Sequence, residues 1–254
     1  MKICYFTATG NSLYVARRIG GEDAELLSIP ELMKQEEITV SDDVVGIVCP
    51  TYCGNMPKMV HAFLEKAKIT TGYFFIVYTY GKYDTVQRPN AEAAAEKAGL
   101  KLNYVNTLLM VDNYLPGFDM EEQKEHVGEK KIEEHLDVIC NDIAERKESP
   151  VSVGIVDQAK MAAMRKSGKS IMDDKQALQY IVDDNCIRCG TCARVCPANN
   201  ISVTDHVEFS DHCEDCYACL HNCPKNAIHM KNEKSSARFR NEHVSLMDII
   251  RSNQ

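Results

Sequence analysis

CIRCGTCARVCP (Cys186–Pro197) and CEDCYACLHNCP (Cys213–Pro224) carry one spacing twice, Cys-x2-Cys-x2-Cys-x3-Cys-Pro. Three thiolates at successive x2 intervals wrap three corners of an iron-sulfur cubane. The fourth, three residues on and followed by proline, points to the neighbouring cluster. Each copy therefore needs the other. The spacing predicts one [4Fe-4S] cluster on Cys186, Cys189, Cys192 and Cys223, and a second on Cys213, Cys216, Cys219 and Cys196. Zinc sites come as paired Cys-x2-Cys arms with four ligands per ion and have no use for a third x2 cysteine and a Cys-Pro. Disulfide frameworks suit small secreted chains, whereas this one has 254 residues and no apolar signal segment at its start.

These segments resemble a bacterial two-cluster ferredoxin, which implies a small α+β domain over 177–231. Few large apolar residues lie there, so the clusters are expected to supply most of its stability. Four basic and seven acidic residues between Asp183 and Lys231 leave a net −3, a surface that would steer towards a basic partner face or simply keep the chain soluble. Upstream, 151–176 reads as a helical connector with Lys160, Arg165, Lys166 and Lys169. Downstream, 232–254 is a basic tail with Lys234, Arg238 and Arg240, ending in a short amphipathic segment, Val244 to Ile250, expected to pack on the first domain, the alternative being contact with a partner.

The first 150 residues alternate β-rich runs with helix-like stretches, the pattern of a parallel sheet covered on both faces. Strands are expected at Lys2–Phe6, Ala24–Ser28, Val44–Cys49, Tyr73–Thr79 and Leu102–Val111. Helices are expected at Ser12–Ile19, Pro57–Lys68 and Val86–Ala98. In the second of these, Met59, Phe63 and Ala67 are spaced for one buried face. From Asp119 a long charged helix is expected, capped by Asp119 with Glu122, its core stripe formed by Ile132, Leu136, Ile139 and Ile143.

Ligands of open α/β sheets bind outside the carboxyl ends of the strands, and three loops there are unusual. Thr7, Ala8, Thr9, Gly10, Asn11 and Ser12 offer hydroxyls and backbone N–H groups at a helix N-terminus. They form a cradle for a phosphate monoester, or a plain strand-to-helix turn. Pro50, Thr51, Tyr52, Cys53, Gly54 and Asn55 follow the third strand, and Thr79, Tyr80, Gly81, Lys82 and Tyr83 follow the fourth. Both place tyrosine near glycine, where a flat ring could stack and the backbone approach its rim.

The first two loops resemble the phosphate loop and a flavin-contacting loop of flavodoxins, five-stranded doubly wound proteins that bind FMN; the resemblance spans roughly Met1 to Lys147. It implies that Thr7 to Ser12 hold the FMN phosphate and that Thr51 to Asn55 and Thr79 to Tyr83 border the isoalloxazine ring, with Pro50 beside them. With no tryptophan in the chain, stacking falls to Tyr52, Tyr80 or Tyr83. Cys53 reads as a small loop residue; Cys4, Cys49 and Cys140 read as buried small hydrophobes. Asn113, Tyr114, Leu115 and Pro116 lie near either the flavin edge or the cluster domain. A flavodoxin-like half joined to a two-cluster half resembles the flavodoxin-ferredoxin fusion proteins of anaerobes, the EFR1-type family.

A net charge of −8 disfavours nucleic acid, and no apolar run approaches the roughly 18 residues of a membrane span. Free cysteines and oxygen-sensitive clusters fit a reducing cytoplasm. The expected function is soluble, low-potential electron transfer among FMN, two [4Fe-4S] clusters and partner redox enzymes. The low potential follows from the lack of Lys or Arg in the first two loops. The alternatives are an FMN/iron-sulfur enzyme reducing a small molecule with electrons fed through the clusters, and a scaffold with an empty flavodoxin-like half. No G-x-G-x-x-G fingerprint or catalytic Ser/His/Asp set is present, and the sequence leaves oligomeric state open.

Overall fold

The computed structural model describes residues 1–52, 54–82, 87–149 and 175–254. Cys53, Tyr83, the start of the helix expected at Val86 and nearly all of the expected connector lie outside them. In chain order the first unit holds β1 (Lys2–Tyr5), α1 (Asn11–Gly20), β2 (Glu25–Ser28), α2 (Ile29–Leu32), β3 (Thr39–Ser41), β4 (Val44–Pro50) and α3 (Lys58–Lys66). There follow β5 (Lys68–Thr70), β6 (Tyr73–Tyr80), α4 (Gln87–Lys97), β7 (Tyr104–Leu109), α5 (Met120–Glu125) and α6 (Ile132–Ala144). Strands β2-β1-β4-β6-β7 form one sheet, parallel throughout. Its order reverses beside β1, the flavodoxin-like doubly wound arrangement with its switch point between β1 and β4.

Burial explains the central strands. Residues 44–49 of β4 and 73–79 of β6 are buried without interruption, as expected for strands covered on both faces. Gly46 is required opposite its register partner Phe75 on β6, since a Cβ there would stand 2.0 Å from the Phe75 ring. Helix α3 buries Val60, Phe63 and Leu64, with Met59 and Ala67 packed beside them. It stops at Lys66, two residues short of the expected end, because Ala67 turns extended and Lys68–Thr70 pairs in parallel with β3.

The helix expected from Asp119 is broken. Asp119 caps α5, its carboxylate accepting from the Glu121 N–H at 2.8 Å. A 3-10 turn then covers Val127–Lys130, and Lys131 adopts a left-handed conformation (φ 47°) before α6 begins. Helix α6 buries Leu136, Ile139 and Ile143, and Ile132 packs beside them.

The second unit carries β8 (Ile181–Val182), α7 (Thr191–Arg194), β9 (Ile201–Val203), β10 (Val207–Phe209), α8 (Ala218–His221) and β11 (Ile228–His229). Strands β9 and β10, and β8 and β11, form antiparallel pairs. The tail ends in α9 (Leu246–Asn253), opened by a reciprocal capping box between Ser245 and Asp248. Its Ile249 and Ile250 join the core of the first unit, as do Val195, Cys216 and Ala218. Conversely, Val111, Leu115 and Met120, which follow β7, pack in the core of the second. Among the described residues no helix is long and apolar enough to cross a membrane.

Candidate functional site

A cavity of about 470 Å³ opens where the sheet ends against the second unit, inside the range of about 300–1,000 Å³ typical of small-molecule pockets. Thr7, Ala8, Thr9, Asn11 and Ser12 line it from the β1 loop, Pro50, Thr51, Tyr52 and Gly54 from the β4 loop, and Thr79, Tyr80, Gly81 and Lys82 from the end of β6. Two residues expected in the site stand behind its wall. Gly10 packs against the tail, where an added Cβ would lie 2.9 Å from that of Val244. Asn55 exchanges backbone hydrogen bonds with Tyr52 (2.7 and 3.0 Å) and accepts from the Met56 N–H (3.0 Å).

The β1 loop is held from outside the sheet. Thr7 Oγ1 accepts from the Gly10 N–H (3.1 Å), and the Ser12 and Thr79 hydroxyls pair at 3.0 Å. Asn113 Nδ2 donates to Thr9 Oγ1 (3.0 Å), Asn222 Nδ2 to the Ala8 carbonyl (3.1 Å) and the Asn241 N–H to the Thr9 carbonyl (2.8 Å). The loop N–H groups at the start of α1, which no helical carbonyl can satisfy, remain the means of receiving an anion.

Residues after β7 supply another wall through Val111, Asp112, Asn113, Tyr114, Gly117 and Phe118. Asn113 reaches both units: its side chain holds Thr9 and its carbonyl meets His221 Nε2 at 2.8 Å. Burial raises the Asp112 carboxyl above its usual range, even though Oδ1 accepts the Tyr114 N–H at 2.9 Å. Asp215 and Tyr217, from inside the second cysteine motif, close the cavity. Sequence reading passed over both as spacers between ligands.

The cavity suits a flat aromatic ligand with a polar edge. Tyr52 stands edge-on to Phe6, with centroids 6.4 Å apart. Its buried hydroxyl has no partner among the described residues, and burial pushes the phenol well above the usual tyrosine range.

The eight motif cysteines gather in two places. Cys186, Cys189, Cys192 and Cys223 line one small pocket; Cys196, Cys213, Cys216 and Cys219 line the other. Each takes its fourth thiol from the opposite motif. Among the described residues no group of His, Cys, Asp or Glu is gathered tightly enough to hold a single metal ion; each set of four thiols lines a common pocket. Burial pushes Cys192 and Cys213 up to about 11 and Cys216 and Cys219 well above their usual range. Thiols so placed would ionise only against a concentrated positive charge, such as a metal centre would supply. Backbone N–H groups of Asn200, Asp215 and Ala227 already point at the sulfurs of Cys196, Cys213 and Cys223, at 3.3, 3.4 and 3.3 Å. Cys4 and Cys49 are buried in the sheet and Cys140 is half-buried, all three as free thiols.

The two ends of this unit differ in exposure. Cys189 is exposed and Ile187 is 58% exposed. Cys216 is buried in the core of the first unit, where the Glu214 carboxylate accepts from the Met59 N–H (3.3 Å) near the N-terminus of α3.

Residues 178–224 match the family described as a 4Fe-4S dicluster domain. No curated protein matches the chain. Similar solved structures include the Trp repressor binding protein of Bacillus subtilis, with 13% identity and a TM-score of 0.31 over 42% of this chain and 83% of that one. Another is two-electron reduced flavodoxin of Megasphaera elsdenii, with 17% identity and a TM-score of 0.30 over 42% and 83%. A third is a short-chain flavodoxin associated with a bacterial microcompartment, with 19% identity and a TM-score of 0.30 over 55% and 97%.

Proposed function

We propose that this chain is an electron-transfer protein of the flavodoxin-ferredoxin fusion type, in which FMN occupies the 470 Å³ cavity and two [4Fe-4S] clusters occupy the paired cysteine pockets. The observation that carries this reading is the entry of Asp215 and Tyr217, which flank Cys216, into the wall of a cavity at the carboxyl edge of a doubly wound sheet. When bound, FMN exchanges electrons in pairs or singly and each cluster exchanges one, so the assembly converts between the two modes.

The protein's own part is placement and charge. Thr7, Ala8, Thr9, Asn11 and Ser12 receive the phosphate, Tyr52 and Tyr80 border the ring, and the eight cysteines hold iron. Lys82 is the one cation among the described lining residues, against Asp112 and Asp215. That balance disfavours added negative charge on the ring and sets a low potential. Partner redox proteins reach the chain at the exposed Cys189 end.

Flavin and iron counted per chain after strictly anaerobic purification test the reading, which expects one FMN and about eight irons. Full iron without flavin sinks the FMN assignment, and zinc in place of iron sinks the clusters.

A further inference from the structure

The two cysteine motifs are copies of one backbone and can be compared position by position. Arg188 and Asp215, before the second cysteine of each copy, have φ of 54° and 51°, and Asn199 and Asn226, after the fourth, have 52° and 50°. Directly after the second cysteine each copy again uses a left-handed residue, the N-cap of α7 or α8. The first copy uses Gly190 (φ 72°, ψ 6°); the second uses Tyr217 (φ 57°, ψ 14°). A side chain in this region crowds its own backbone, so glycine is the unstrained choice. Space does not dictate it at Gly190, where an added Cβ would meet nothing within 4 Å. At Tyr217 the same backbone carries a large ring that is 8% exposed. That ring lines the cavity, 5.9 Å from the ring of Tyr114 at an angle of 51°. Backbone strain retained at a cavity wall points to the work of the side chain there.

We infer that Tyr217 is a flavin-binding residue, so that the site on the first unit is completed by the second and the cluster held by Cys196, Cys213, Cys216 and Cys219 is the flavin's immediate neighbour. This rests on the reading of the cavity as an FMN site. The residue that touches the ring is then flanked in sequence by Cys216 and lies two positions before Cys219. The matching position in the other copy, Gly190, borders only the pocket of the exposed cysteine set. The ring-stacking residue sought in Tyr52, Tyr80 and Tyr83 thus has a counterpart from the opposite half of the chain.

Iron-replete full-length protein, Tyr217→Gly and Tyr217→Phe are titrated anaerobically with FMN. Flavin fluorescence and visible circular dichroism are followed, and iron is counted in the same samples. Tyr217→Gly restores the residue of the first copy and relieves the backbone, so iron should be retained. The expected result is FMN affinity lowered about tenfold in Tyr217→Gly, with an altered flavin dichroism, and held within about threefold in Tyr217→Phe. FMN binding by the parent protein with undiminished affinity in Tyr217→Gly overturns this inference alone. No FMN binding by the parent protein overturns the reading of the cavity and the inference with it. Loss of iron from Tyr217→Gly assigns the tyrosine to the cluster fold and overturns the inference as well.

Discussion

A methyl group added at Gly81 would lie 2.0 Å from Asp112 Oδ2 and 2.2 Å from its Cβ, too close for the backbone of β6 and the loop after β7 to keep their places. Asp112 also anchors Tyr114 through the N–H of that residue, so its displacement reshapes one wall of the cavity. Gly81→Ala is expected to lower FMN affinity by about tenfold while leaving iron content unchanged, as read by flavin fluorescence and iron assay. Simultaneous loss of iron would show that this wall also supports the cluster unit. Thr9 shows how far a single residue can be read from sequence. Its hydroxyl suggested a phosphate ligand, and it does line the cavity, yet its oxygen also accepts from Asn113. That second role depends on a residue 104 positions away, which no local pattern encodes.

Among the elements, α9 concentrates several restraints in eight residues. Asp248 closes the capping box and accepts from Arg17 Nη2 on α1 at 2.7 Å; this hydrogen bond holds its carboxyl down at about 2. Ser252 pairs with the Tyr5 hydroxyl at 3.0 Å, and its carbonyl accepts from Ser28 Oγ. Asp248→Ala is expected to cost about 1–2 kcal/mol through the lost cap, lowering Tm by a few degrees in a thermal melt. The amphipathic spacing of Val244 to Ile250 made this helix legible. So did the Val and Ile runs of β4 and the aromatic run of β6, where continuous burial leaves a continuous apolar string. Strands β3 and β5 left no such trace, because three residues with one buried or half-buried centre look the same as loop. The break before α6 was hidden for a different reason. Lys131 carries a left-handed turn that its side chain does not advertise.

At the scale of the molecule the two units are joined by specific polar contacts as well as by apolar packing. Asn253 Nδ2 donates to the Thr7 carbonyl (3.4 Å) and the Val195 carbonyl (3.0 Å), so one amide ties the β1 loop to the cluster unit. Asn222 to Ala8 and His221 to Asn113 add two further ties. Cysteine spacing made the ligand sets readable, but their orientation towards the sheet depends on this docking. The cluster losses should therefore be unequal. Cys186→Ala removes iron at the exposed end and is expected to leave FMN affinity within about threefold, whereas Cys216→Ala loosens the cavity wall and weakens FMN about tenfold or more. Parallel iron assays and flavin titrations check the contrast, and equal flavin losses in both variants would refute it. The same asymmetry bears on ageing in air. Oxidants attack thiols according to their thiolate character and accessibility. As cluster ligands all eight sulfurs would be thiolates alike, so access decides: Cys189 is exposed, while Cys216 and Cys219 are buried. Corrosion is therefore expected to begin at the outer end of the molecule and to reach the thiols beside the cavity last.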